Sequence, residues 1–286
     1  MLNERIQDLW AAFKEALILK VVQENKGVED DVMEIIKKLK YKPENMEELF
    51  DLRNYCIKMD EELKSGLRVK ISDIMNKLQL LEEVQYKIGF EEFAQSWASF
   101  GMPSRILRKR DKTLAKLKNL EKDFSDLLMV QQNDLAVEIA EIKLELEELM
   151  LQGEYEEYNQ LSIKFTQLGE KIEHAQYEAM VVNRREGLVK WKESDYQEIE
   201  KIRQTWLPYH KLWTLANSFH INNPMHKTGA LININRDQVT KEINDAWNDL
   251  YKMEKGVFKH TPHILTVVKT VKDQVSTEIF YFVLIN

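Results

Sequence analysis

Turn-forming residues are scarce in this chain, with nine glycines and five prolines among 286 residues. Together they make up about 5% of the sequence, against about 12% in average usage. Sandwiches and barrels spend glycine and proline at every corner, so an all-β class is excluded. Enzymes built on glycine-rich phosphate loops are disfavoured for the same reason. Cysteine is nearly absent. Cys56 alone cannot form an intramolecular disulfide, which suits a reducing compartment, and its place on an apolar helical face reads as core rather than nucleophile. No apolar run reaches the about 18 residues of a membrane span. Met1 to Lys20 interleaves Glu4, Arg5, Asp8, Lys14 and Glu15 with apolar residues, the pattern of an amphipathic helix and not of a signal peptide. Basic residues number 41 and acidic residues 48, a net charge of −7, so neither nucleic acid nor a membrane is an expected partner.

Motifs of chemistry are missing as well. There is no Gly-x-x-x-x-Gly-Lys-Ser/Thr and no Gly-x-Gly-x-x-Gly, and Lys227-Thr228-Gly229 lacks a glycine loop before it. Neither His-Glu-x-x-His nor a Cys-x-x-Cys pair occurs. His260 and His263, with His220 and His226, read as surface or capping histidines. No two carboxylates stand out as an acid/base pair. No catalytic, cofactor-binding or metal-ligating residue is therefore assigned, no cofactor is expected, and an enzyme acting through this chain alone is not expected.

What is present is helical periodicity. Ile6, Leu9, Trp10, Phe13 and Leu17, then Val32, Ile35, Ile36 and Leu39, recur at helical spacing, with Gly27 read as a break. Asn45 is an expected N-cap, with Glu48 as its capping-box partner. Ser65-Gly66 is expected to kink or end the helix that follows. Gly101 and Pro103 read as a boundary after the aromatic patch Phe90, Phe93, Trp97 and Phe100. Beyond it, Leu117, Leu120, Phe124, Leu127, Leu135, Ile139, Ile142, Leu146 and Leu149 step by three and four, the stripe of a coiled coil or long helical hairpin. Gly153 is placed to turn the chain, and Tyr158, Leu161, Phe165, Leu168, Ile172 and Ala175 would line the returning helix. Charge is segregated, with a basic stretch from Arg105 to Lys122 and an acidic one from Glu138 to Glu157. These read as solvated faces, or as a patch docking on an acidic surface.

The last hundred residues are rich in large rings. Trp191, Trp206, Trp213 and Trp247 occur with Tyr196, Tyr209 and Tyr251. In Trp206-Leu-Pro208-Tyr209-x-x-Leu212-Trp213 the rings are three and four apart and share a helix face, as core or as a docking surface. The final run from Ser276 is uncharged after Glu278 and β-prone, and reads as a buried helix end, an edge strand or an abnormal, truncated terminus.

Together these segments resemble a known order. Trp191, Tyr196-Gln-Glu-Ile199, Leu207-Pro208-Tyr209-x-x-Leu212-Trp213 and Trp247-Asn-Asp-Leu250-Tyr251-Lys252 are similar to the region where the stem of a dynein heavy chain enters its linker. Phe100-Gly-Met-Pro103-Ser-Arg105-Ile106 and Asn183-Arg-Arg-Glu186 resemble segments that precede it in that family. The match runs over roughly residues 90–275, with an axonemal texture. It departs at His226-Lys-Thr-Gly229, which lacks the family's tryptophan, and after Val275, where the family's charged continuation is replaced. The resemblance implies an elongated all-α protein: stem helices over 1–102, a hairpin or coiled-coil segment over 103–189, and the start of a linker over 190–286 with an atypical end from 276. It implies a role in force transmission and subunit attachment in microtubule-based ciliary movement, without an ATPase ring in this chain. Implied partners are dynein intermediate and light chains and other heavy-chain segments, with the microtubule reached only indirectly. The implied location is the cytoplasmic cytoskeleton and the ciliary axoneme. Trp191, Tyr196, Trp206, Pro208, Tyr209, Leu212, Trp213, Trp247 and Tyr251 are the docking or joint candidates. The rival reading is a coiled-coil scaffold or adaptor with no motor relationship.

Overall fold

The all-α expectation holds. A computed structural model describes residues 2–228 and 236–284, and among them the chain forms eight α-helices and no strand. These are α1 (Leu2–Lys40), α2 (Met46–Glu62), α3 (Arg68–Glu83), α4 (Phe90–Leu151), α5 (Tyr158–Leu188), α6 (Gln197–Thr228), α7 (Arg236–Lys255) and α8 (Pro262–Leu284). Contacts divide the chain into two units. The first comprises Met1–Leu128 and Leu188–Lys190, and the second Met129–Gly187 and Trp191–Asn286.

In the first unit, Val21, Val28, Val32 and Leu39 bury one face of α1. Gly27 does not break this helix. A mid-helix glycine costs about 1 kcal/mol relative to alanine, and the valines buried on either side outweigh it. The apolar residues ahead of Val21 are another matter: Ile6, Leu9, Trp10 and Phe13 stay exposed, so the buried face begins about four turns later than the periodicity predicts. At α2 the expected cap is present. Asn45 Oδ1 accepts from Glu48 N at 2.8 Å, and Glu48 in turn accepts from Glu44 N at 3.0 Å and from the Tyr41 hydroxyl at 2.8 Å. Those donors hold the Glu48 carboxyl below its ordinary range. Ser65-Gly66 neither ends the helix nor leaves it regular. Leu63–Leu67 form a π-helical turn that buries both leucines, while Ser65 Oγ bonds Glu61 O at 2.9 Å. α3 ends with Gln85 in the left-handed region (φ 52°) and Tyr86 N bonded to Leu81 O at 2.9 Å, a Schellman closure.

The boundary expected at Gly101–Pro103 is absent, because α4 continues through both. Pro103 is buried and Met102 packs on the core of the unit, and this burial outweighs the backbone bond that the proline removes. Pro208 and Pro224 also lie within a helix, so only Pro43 and Pro262 mark element boundaries. Pro262 opens α8 as its first residue, where its missing N–H would have no partner anyway.

In the second unit, the later part of α4 and α5 form the expected antiparallel hairpin. Glu145 pairs with Lys171 at 2.6 Å, Glu138 with His174 at 3.2 Å, and Gln131 with Arg185 at 2.9 Å. Partner numbers rise on one helix as they fall on the other. Leu135, Ile139, Ile142, Leu146 and Leu149 are buried, as are Leu161, Phe165, Leu168, Ile172 and Ala175. At the end of the first unit the stripe differs at one step: Leu127 is exposed, and Leu128 is buried instead. Gly153 lies in the turn, where a Cβ would approach His263 Cδ2 to 2.9 Å. His263 Nε2 meets Met150 O at 3.0 Å and so caps the end of α4. α6, α7 and α8 pack on one another. The β-prone end is helical to Leu284, so the edge-strand alternative is overturned: its residues continue the i→i−4 ladder of α8. The glycine loop around Gly229 and the Asn233–Asn235 start lie outside the described residues.

Candidate functional site

The corner between α5 and α6 is built around a carboxylate. α5 closes with Lys190 in the left-handed region (φ 59°) and Trp191 N bonded to Glu186 O at 2.9 Å. Glu186 is fully buried. It accepts from Ser194 N and from Ser194 Oγ, each at 2.6 Å, and from Gln132 Nε2. A buried carboxylate is tolerated where several donors replace its water shell. Here those donors come from α4 and from the segment leading into α6, so one side chain fixes three pieces of backbone. Trp191 and Tyr196 flank this corner, both half-buried, and burial raises the Tyr196 hydroxyl above its ordinary value.

α6 then lays its rings on α5. Trp206 Nε1 donates to Phe165 O at 2.8 Å, and the indole lies over Gly169, where a Cβ would come within 2.5 Å of Cζ2. Only glycine permits this approach. His210 stacks on Trp206 at 4.5 Å, and burial holds its imidazole below the ordinary value. Half-buried Pro208 sits between Trp206 and Tyr209 in sequence. Tyr209 stacks on Phe165 at 5.9 Å and meets Phe258 edge-on at 4.8 Å. Leu212 and Trp213 are fully buried, and Trp213 Nε1 has no acceptor. The Trp206–Trp213 candidates therefore converge on a buried seam between α5, α6 and the segment after α7.

Trp247 and Tyr251 are a separate group. They stack on each other at 5.5 Å on α7, Trp247 Nε1 donates to Ser276 Oγ at 3.2 Å, and Lys272 Nζ lies 5.2 Å and 5.0 Å from their ring centres. Lys272 also meets Glu254 at 2.5 Å and holds that carboxyl below its ordinary range. Tyr251 is 44% exposed, so this pair clips α7 to α8 at the surface rather than joining the seam.

Sequence reasoning quoted Glu186 only within a motif and missed Gly169 and Lys272. A glycine four residues after Phe165 on an apolar helix face was the available signal for close approach. Cys56 is fully buried, and burial raises its thiol, as an inert core residue requires. Among the described residues, no group of three or more His, Cys, Asp and Glu is placed to hold a metal ion, and no helix is long and apolar enough to cross a membrane.

No family model matches the chain. Among curated proteins it is similar to dynein axonemal heavy chain 1 of Homo sapiens, with 22% identity over 261 residues, covering 91% of this chain and 6% of that protein. It is 24% identical to dynein axonemal heavy chain 3 of Mus musculus over 258 residues, 89% of this chain and 6% of that protein. It is 22% identical to dynein axonemal heavy chain 12 of Homo sapiens over 213 residues, 74% of this chain and 7% of that protein. The likeness is longer than the span of quoted motifs and reaches into the N-terminal part of the chain. The chain thus spans only a small fraction of the curated relatives it matches. Over most of its length it is related to the axonemal dynein heavy chains.

Proposed function

We propose that this chain acts mechanically, as a stem-to-linker segment of an axonemal-type dynein heavy chain. The observation that carries the reading is the seam at the α5–α6 corner. The residues that resemble the family's stem–linker junction are the ones that close it: Glu186 holds the turn, and Trp206, Tyr209 and Trp213 fill the space beyond. A joint packed with rings resists bending because each ring meets several neighbours and has few rotamers to escape into. In this reading the segment passes force between a stem and a linker and holds position in the axoneme. Intermediate chains, light chains and other heavy-chain segments are its partners, and the microtubule is reached through them. The ATPase activity of the whole motor belongs to other parts of such a heavy chain.

The scaffold alternative draws on the α4–α5 hairpin alone and gives the seam no role. Mass spectrometry of the native polypeptide, with an antibody against residues 104–190, decides between them. Peptides continuing from this chain into an ATPase ring support the motor reading. A native species that ends with this chain overturns force transmission. Deleting residues 190–286 gives a second discrimination: a scaffold keeps its association, whereas a stem–linker segment loses folded structure around Glu186.

A further inference from the structure

A groove of about 420 Å³ opens in the first unit between the end of α1, the segment after it and the middle of α4. Leu39, Pro43, Leu117 and Leu120 make its walls aliphatic, and the Thr113 hydroxyl is tied to Leu39 O at 3.0 Å. Lys40, Lys42, Lys109, Lys112 and Lys116 also line it. On α4 the last three recur at i, i+3 and i+7, which puts them in one row. Elsewhere in this unit Arg53 pairs with Glu121, Lys70 with Asp31, Lys77 with Glu24 and Arg110 with Asp60. Among the described residues, none of the five groove lysines forms an ion pair. Five like charges around an apolar floor repel one another and raise the local potential. Such an arrangement is complementary to a ligand that brings both carboxylates and an apolar group.

We propose that this groove docks an acidic protein segment, its carboxylates on the lysine row and one apolar side chain seated on the Leu39–Leu117 floor. Nucleic acid fits less well. The only aromatic ring among the residues lining the groove is Tyr41. Bases would also find an aliphatic floor in place of stacking faces. The inference uses the charge and shape of the first unit alone and is independent of the stem–linker reading.

The test is fluorescence anisotropy of the 286-residue chain with three labelled peptides. One is a Glu-Glu-Leu repeat, the second carries Ser for Leu, and the third carries Lys for Glu. The Glu-Glu-Leu peptide is expected to bind and to weaken about tenfold or more between about 50 and about 300 mM salt. The Ser peptide should bind about tenfold more weakly, and the Lys peptide not at all. Combined Lys109→Glu, Lys112→Glu and Lys116→Glu should lower affinity at least about tenfold, while Lys118→Glu with Lys122→Glu, on the same helix outside the groove, should leave it unchanged. If charge reversal lowers the melting temperature, the Lys→Gln triple variant replaces it and should still lose affinity. Absence of binding overturns the proposal. So does equal loss from the Lys118 and Lys122 reversals, equal binding of the Ser peptide, or tighter binding of a single-stranded oligonucleotide to the same lysines.

Discussion

The two units differ in where their largest rings lie. The core of the first is aliphatic and sulfur-containing, with Val21, Leu49, Cys56, Met59, Leu63 and Ile74 at its centre. Phe50, Tyr55 and Phe124 pack at its edge, while Phe93, Trp97 and Phe100 stack in a row and are all more than half exposed. In the second unit the rings are the core. Trp213, Phe165 and Phe258 are fully buried and Tyr209 almost so. Tryptophans at similar helical spacing thus have different fates. What separates them is whether another helix covers that face. The face bearing Trp206, Tyr209 and Trp213 has α5 against it, with Gly169 leaving room; the ring surfaces of Trp97 and its neighbours are open.

The largest expected effect would come from Trp213. Trp213→Ala should lower the unfolding free energy by about 3 kcal/mol in urea denaturation, through the cavity it leaves. The lower end of the usual range is expected because the indole N–H has no acceptor to lose. Trp97→Ala should change it by less than about 0.5 kcal/mol, and equal effects would break the comparison. Glu186→Ala comes next, at about 2–3 kcal/mol, because it removes a buried carboxylate and leaves the half-buried Ser194 and Gln132 donors without their acceptor. Hydrogen exchange at the Ser194 amide should quicken in this variant.

Two glycines sharpen the contrast by sign. Gly169→Ala should destabilise by about 1–2 kcal/mol, since its Cβ enters the Trp206 ring. Gly27→Ala meets nothing within 4 Å and should stabilise by about 0.5–1 kcal/mol. The smallest effect is protonic. Burial lowers the His210 value in the folded state, so the unfolded chain takes up this proton first as pH falls. Stability from this group is complete above the ordinary imidazole value of about 6.5 and is lost on acidification below it. The melting temperature should therefore fall between about pH 7 and about pH 5, and His210→Gln should flatten that slope.

Much of this was legible in the sequence, for local reasons. The Asn45 cap, the hairpin stripe and the Gly153 turn each depend on residues a few positions apart. Gly27, Gly101 and Pro103 misled for the complementary reason. As isolated signals they favour breaks by about 1–3 kcal/mol, and the apolar burial around each in the folded chain exceeds that. The candidate site was half legible: ring spacing marked the Trp206–Trp213 face, but nothing local separated it from the Trp247–Tyr251 clip.

Periodicity and the shortage of turn formers determined by themselves that this protein is all-helical, and the order of its motifs carried the resemblance to dynein heavy chains. Tertiary structure alone decided which amphipathic faces are covered, that Glu186 is a buried hub, and that Lys40, Lys42, Lys109, Lys112 and Lys116 face one groove. Helical propensity and capping act within a turn or two of the chain. Burial depends on partners tens of residues away, and only the folded chain brings them together.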